Sequence, residues 1–235
     1  MGRQLTTIGF DADDTLWQNE QFFRLTETRF ASLLADHASP EAISGHLLEV
    51  ERRNLQFYGY GIKGFTLSMV ETAITLTGGK VPTTVIAEIL SAGREMLTHP
   101  VEALPHAREA LERLSGDYRL VLITKGDLFD QERKLAQSGL GDFFTAVEIV
   151  SEKTAATYQT VFSRHGDGAG QSMMVGNSLK SDIVPAIEAG SWGVHVPHEL
   201  TWALEHSEAP STSPRFRRVE HLGNLYSLIM EIDNK

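Results

Sequence analysis

The chain contains no cysteine. Disulfide frameworks, thiolate metal sites and cysteine nucleophiles are excluded, and a reducing cytoplasm is the expected compartment. Long hydrophobic runs are missing as well, and no apolar stretch approaches the roughly 20 residues that cross a bilayer. No basic segment leads into an apolar one near Met1, so no secretory signal is expected. Met1 to Thr6 matches a myristoylation pattern, but strand-forming residues begin almost at once and no lipid anchor is expected. Positive charge is scarce: 21 Lys and Arg stand against 31 Asp and Glu, a formal net charge of −10. Binding to long nucleic acids relies on many phosphate contacts from Lys and Arg, so that class of partner is excluded. A small phosphorylated metabolite is not, because a metal ion and a few local cations can reverse the potential inside a pocket. The oligomeric state is not encoded in any feature of the sequence.

What is present is a chain of 235 residues, 41% hydrophobic, enough to build a core in one large domain or two small ones. Leu5 to Phe10 is a short strand-prone run. From about Gln18 to Leu97 the pattern turns helical. Phe22, Phe23, Leu25, Phe30, Leu33 and Leu34 mark one helix. Ile43 through Phe57 mark a second, Leu67 through Leu76 a third, and Val85 through Leu90 a fourth. Breaks are expected at Ser39-Pro40, at Gly59 to Gly64, and at Gly78-Gly79 with Pro82. From His99 onward strands and helices alternate. Strands are expected at 118–123, 146–150, 172–175, 192–196 and 217–219. Helices are expected at 107–114, 130–137, 154–165, 181–189 and 222–230. Such alternation predicts an α/β fold, a doubly wound and mostly parallel sheet of Rossmann-like type. The helical block is then an insertion: residues 1–16 and 99–235 form the core, and 17–98 an all-helical domain.

Four strand ends carry polar groups. Asp11 and Asp13 follow the first strand, where open α/β sheets bind ligands. Two carboxylates spaced i and i+2 can share a pocket. One can attack phosphorus, the other can move a proton, and either can help hold a divalent cation. Asp and Thr are also ordinary helix caps, so capping is the competing reading. Thr124 offers a hydroxyl, and the amides of Lys125 and Gly126 can face an anion. Asp127 reads as a cap for the next helix. Lys153, the last charge before a helix, can bridge a carboxylate and a phosphate oxygen, or can simply be solvated. Asn177 and Asp182 supply hard oxygens that suit Mg²⁺, with Ser181 or Asp182 as an alternative helix cap.

In this order the four segments resemble the motifs of the haloacid dehalogenase superfamily of aspartate-nucleophile hydrolases. Asp11 and Asp13 match its paired acids, Thr15 the following threonine, Thr124 its phosphate-binding hydroxyl, Lys153 its lysine, and Asn177 to Asp182 its metal-binding segment. The position of the helical block matches the family's cap. The resemblance implies an Mg²⁺-dependent phosphatase acting on a small phosphate monoester. Asp11 would be the nucleophile and Asp13 the acid and base. Lys153, Thr124 and the Lys125 and Gly126 amides would hold the transferring group. Mg²⁺ would sit on Asp11, the Asp13 carbonyl, Asp182 and Asn177. Asn177 departs from the usual aspartate and removes one negative charge from the metal site, and Thr154 replaces a frequent proline. Members that cleave carbon–halogen bonds generally lack an acid at the Asp13 position, so its presence favours phosphate chemistry. A phosphomutase-like transferase, a phosphonate hydrolase using Lys63, and an inactive phosphate- or metal-binding module remain as alternatives.

Gly59 to Gly64 spells G-x-G-x-x-G, but helical patterns flank it where a dinucleotide fingerprint needs a strand. It reads as a flexible loop of the cap, from which Tyr58, Tyr60 and Lys63 would contact the leaving group. The nine histidines lack zinc-site spacing. Trp17 and Phe22-Phe23 read as packing residues.

Overall fold

The computed structural model describes residues 4–233; Gly2, on which the myristoylation pattern depends, lies outside them. Six strands form one sheet: β1 (Thr7–Phe10), β2 (Arg119–Lys125), β3 (Ala146–Val150), β4 (Ser172–Gly176), β5 (Trp192–His195) and β6 (Phe216–Arg218). Their order is β3-β2-β1-β4-β5-β6, and every neighbouring pair runs parallel. The chain winds outward from β1 in one direction through β2 and β3, and in the other through β4 to β6. The winding therefore reverses beside β1, and the β1–β4 pair is the switch point, the place where open α/β sheets bind ligands. Phe10 is level with Val175 of β4, so Asp11 and the residues after Gly176 emerge side by side.

Alternation along the strands builds two apolar layers. Ile8, Phe10, Leu120, Leu122, Met173 and Val175 pack with Ala110, Leu111 and Leu114 of α5 (Ala107–Ser115) and with Ile229 and Ile232 of α9 (Leu225–Asp233). Val121, Ile123 and Met174 point the other way, toward Tyr158 and Phe162 of α7 (Ala155–His165) and Ala186 of α8 (Val184–Glu188). Gly9 lies on this second face, where a Cβ would come within 2.9 Å of Ile123 Cδ1. Helices thus cover both faces, and α6 (Leu128–Ser138) adds Leu135 to the first layer.

The chain divides into two compact units. One comprises the sheet and its helices. The other comprises Gln21–Pro100 together with Gly126–Asp130. Its helices are α1 (Glu20–Leu33), α2 (Pro40–Tyr58), α3 (Ile62–Leu76) and α4 (Thr83–Thr98). Phe30, Ile43, Leu47, Phe65, Met69, Ile89 and Met96 form its own core. Ser39 caps α2 and Pro40 occupies its first turn, as Pro at that position requires no lost hydrogen bond. No helix among the described residues is long and apolar enough to cross a membrane.

Two expectations about element boundaries are corrected. The break after α2 is only Gly59–Gly61. Ile62, Lys63 and Gly64 already lie in α3, so Lys63 stands on a helix rather than in a loop. The helix expected at 181–189 begins instead as a π-helical turn, Leu179–Ile183, before α8. Pro185 then interrupts the α-helical pattern, since it has no N–H to donate to the carbonyl four residues earlier, at Ser181. The buried Tyr158 hydroxyl donates to that carbonyl instead, at 2.9 Å.

Candidate active site

At the switch point Lys153 is buried between two carboxylates. Its Nζ donates to Asp11 Oδ1 and, at 2.7 Å, to Asp182 Oδ1. The solvated-lysine reading is overturned: only 2% of its side chain is exposed. Burial disfavours its charged form, but the two carboxylates outweigh that and hold it charged well above the ordinary lysine range. Burial and the facing Asp182 raise Asp11 to about 7, with Lys153 pulling the other way. With both acids ionised, two carboxylates against one ammonium would leave one negative charge in excess, and the raised Asp11 pKa reflects the cost of that state.

The Thr15 hydroxyl and backbone N–H groups hold the rest of the cluster. Thr15 Oγ1 donates to Asp11 Oδ2 at 3.0 Å and accepts the Asn177 N–H at 3.1 Å, while its distance to Asn177 Oδ1 is 3.3 Å. His195 Nε2 lies 3.0 Å from the Asn177 carbonyl, and burial keeps its pKa below the usual histidine value. Asp182 Oδ2 accepts the Ser178 N–H at 2.9 Å. Ser178, not Ser181 or Asp182, caps the π-helical turn, by accepting from the Ser181 N–H. Gly176 makes this closeness possible, since a Cβ there would stand 2.3 Å from Asp182 Oδ2.

The acidic run after β1 splits its work among three residues. Asp11 joins Lys153. Asp14 is the cap, at φ 59°, accepting from the Asn19 and Glu20 N–H groups at the start of α1. Burial lifts it to about 6. Asp13 does neither. Its Oδ1 accepts from Trp17 Nε1 at 2.7 Å and Lys134 Nζ at 2.6 Å, and its Oδ2 from Gln131 Nε2 at 2.8 Å. The structure does not bring its carboxylate into hydrogen bonds with Asp11, Lys153, Asn177 or Asp182. Trp17 is more than packing, since its indole N–H is part of this set.

Thr124 is buried at the end of β2, its hydroxyl in a long 3.4 Å bond to the Lys125 carbonyl. The Lys125 ammonium turns to Glu205 and Ser181, both at 2.8 Å, so what it offers an anion is its main chain. Gly126 follows at φ 136°. Asp127 does cap α6, accepting the Asp130 N–H, and also pairs with Lys63 at 2.9 Å. That ion pair engages the Lys63 amine with a carboxylate, whereas a Schiff base needs it free to attack a carbonyl. Tyr60 lies in the break before α3.

Glu205 was not singled out by sequence reasoning. It sits in a 3₁₀ turn, Ala203–Glu205, within the long connection from β5 to β6. Its Oε2 accepts from Ser178 Oγ at 2.6 Å and Ser181 Oγ at 2.5 Å, and its Oε1 from Lys125. Burial works against its charge, but Lys125 and the two hydroxyls hold its pKa below the usual range. It ties the loop after β2 to the loop after β4. Gln131 and Lys134 were also missed, because a polar residue on an amphipathic helix looks solvated.

Asp11, Asp182 and the Asn177 amide offer hard oxygens, the donor type that suits a small divalent cation. Among the described residues no group of three His, Cys, Asp or Glu is arranged to hold a metal.

Residues 5–190 match the haloacid dehalogenase-like hydrolases. The structure is similar to that of a haloacid dehalogenase-like family hydrolase from Xanthomonas campestris, with 42% identity, a TM-score of 0.89, and coverage of 99% of this chain and 94% of the other. A hydrolase of the same type from Bacillus subtilis, bound to magnesium, shares the fold at 17% identity and a TM-score of 0.66, over 97% of this chain and 99% of that one. The glyceraldehyde 3-phosphate phosphatase of Methanothermobacter thermautotrophicus is 28% identical over 206 residues, covering 85% of this chain and 88% of the relative. With the matched segment spanning β1 through α8 and all four strand ends, the chain belongs to the haloacid dehalogenase-like hydrolases.

Proposed function

We propose that this hydrolase is an Mg²⁺-dependent phosphatase for a small phosphate monoester. The carrying observation is the division between two acids that leave one strand: Asp11 shares a buried lysine with Asp182, while Asp13 is held apart by neutral and charged donors. One is built as a nucleophile and the other as a proton carrier. The relative that hydrolyses glyceraldehyde 3-phosphate supports the substrate class.

Asp11 attacks phosphorus. As the Asp11 O–P bond forms, the ester P–O bond breaks, and Asp13 gives its proton to the departing oxygen. Water then attacks the aspartyl-phosphate and loses a proton to Asp13. The Asp11 O–P bond breaks, phosphate leaves, and both acids return to their starting states. Lys153 orients Asp11 and stabilises charge on the transferring group, with Thr124 and the Lys125 and Gly126 amides as further donors. Asp11, the Asp13 carbonyl, Asp182 and Asn177 would hold Mg²⁺, which when bound neutralises charge and serves as a template. The helical unit acts as the cap that excludes water and selects the leaving group, with Tyr60 and Lys63 as its contacts. We place the protein in the cytoplasm, in keeping with its lack of cysteine.

The test is phosphate release from a broad panel of phosphate esters, with Mg²⁺ and after exhaustive chelation. Metal-dependent turnover is expected, together with an acid-stable, hydroxylamine-labile phosphoryl label that Asp11→Asn cannot acquire. Full activity without metal, or no turnover across the panel, overturns the reading.

A further inference from the structure

α6 directs two residues of one face at Asp13: Gln131 and Lys134, three positions apart. Both are buried. Lys134 Nζ reaches Asp13 Oδ1 at 2.6 Å and Asn19 Oδ1 at 3.2 Å. Gln131 Nε2 reaches Asp13 Oδ2 at 2.8 Å and the Lys125 carbonyl at 3.0 Å. Two acceptors face that nitrogen, so the amide cannot be turned around without setting oxygen against oxygen. Its other end is left wanting: Oε1 is buried and has no hydrogen-bond partner among the described residues.

A buried amide oxygen without a donor is unfavourable, and methionine, similar in length, would remove the problem. The fold keeps it, and the return is a fixed N–H donor on Asp13. Trp17 supplies a second neutral donor at 2.7 Å and is itself fully buried. Three rigidly placed donors on one carboxylate determine its direction. An acid that must meet a leaving-group oxygen in one step and a water in the next depends on that direction.

We propose that Gln131 and Lys134, with Trp17, are positioning residues that set the orientation of Asp13 for proton transfer. The proposal rests on the acid–base role of Asp13 given above. These side chains act through Asp13, so their loss should lower kcat and leave KM for the phosphate ester nearly unchanged.

The experiment is single-turnover phosphorylation of Asp11 in Mg²⁺ buffer by wild type, Gln131→Met, Lys134→Met and Asp13→Asn. Each is assayed with p-nitrophenyl phosphate and with the best alkyl phosphate of a panel, alongside thermal unfolding. Asp13→Asn should lose far more rate on the alkyl ester than on the aryl ester. Gln131→Met should reproduce that selectivity at roughly 10-fold, a fraction of the about 10²–10⁴ a placed acid contributes. Its Tm should change little, because removal of the unsatisfied oxygen offsets the loss of the two hydrogen bonds that Nε2 donates. Lys134→Met should show the same selectivity and serves if Gln131→Met does not fold. Equal losses on both esters, no loss, or a fall in Tm matching the fall in rate, with Asp13→Asn still selective, overturns the positioning role alone. A non-selective Asp13→Asn overturns the acid–base reading, and the positioning role with it.

Discussion

Asp11 and Asp13 leave the same strand two residues apart and end in opposite surroundings. Asp11 is 9% exposed, faces a second carboxylate, and depends on Lys153 for its one cationic partner in the cluster. Asp13 is 22% exposed and is gripped by an indole, an amide and Lys134. Each acid has a lysine: Asp11 shares Lys153 with Asp182, and Asp13 meets Lys134, which also reaches the Asn19 amide oxygen. Identical side chains are thus given different chemistry by what surrounds them, the general way in which one fold runs two roles with one residue type.

The contrast breaks most severely at the nucleophile. Asp11→Asn should reduce kcat by about 10⁴-fold or more on every ester, because it removes the group that attacks. Asp13→Asn should reduce it by about 10²–10⁴-fold on alkyl esters and far less on an aryl ester. Steady-state rates across a leaving-group series, with single-turnover rates for the first step, separate the two. If both variants lost rate equally throughout the series, the division of labour would be wrong.

The lysine is the next point of leverage. Lys153→Met should lower kcat by roughly 10²–10³-fold through loss of charge stabilisation. It should also destabilise the metal-free protein by about 3–5 kcal/mol, since two buried carboxylates then face each other unpaired. Chemical denaturation under chelation measures the second effect, and wild-type stability would show that the lysine does not hold the cluster together.

A smaller effect concerns pH. Asp11 lies at about 7 and Asp14 at about 6 in the folded protein, against 3.8 as the ordinary value. Between those values the folded state binds more protons than the unfolded chain, so ν_U − ν_N is negative and stability falls as pH rises from about 4 to 7. Without metal, Tm should decline across that window at these two sites, and Asp11→Asn should flatten the Asp11 share. A slope unchanged in Asp11→Asn would show that Asp11 does not titrate there.

The smallest change concerns Asn177. Asn177→Asp adds one negative charge beside Asp11 and Asp182, and should lower the Mg²⁺ concentration for half-maximal activity severalfold. Variants of Tyr60 or Lys63 should alter substrate preference and leave that titration in place. A titration unmoved by Asn177→Asp takes its side chain out of direct contact with the ion.

The sheet was legible because continuous apolar runs such as Leu120 to Ile123 and periodic helices such as Ala107 to Leu114 are local signals of burial. The polar residues just beyond those strands were legible for the same reason, since strand ends mark where ligands meet an α/β sheet. Thus Asp11, Lys153 and Asp182 were found from the sequence, and they do meet in one cluster. The interruption of the helix expected at 181–189 was visible only in hindsight through Pro185. Capping was expected somewhere in the run from Asp11, but which acid performs it was not decided there: Asp14 does, in a left-handed conformation that Asp tolerates better than most residues.

The sequence by itself determined the order of elements, the parallel sheet, the helical insertion and the identity of the acids at the first strand end. Tertiary structure alone decided where those acids point. Asp13 finds Lys134 across 121 residues and Gln131 across 118, and Lys125 finds Glu205 across 80. Periodicity records whether a position is buried, but not which polar partner it meets there. That choice depends on rotamers and on the packing of helices onto the finished sheet, where a buried charge persists only if a donor or acceptor from another element arrives to meet it.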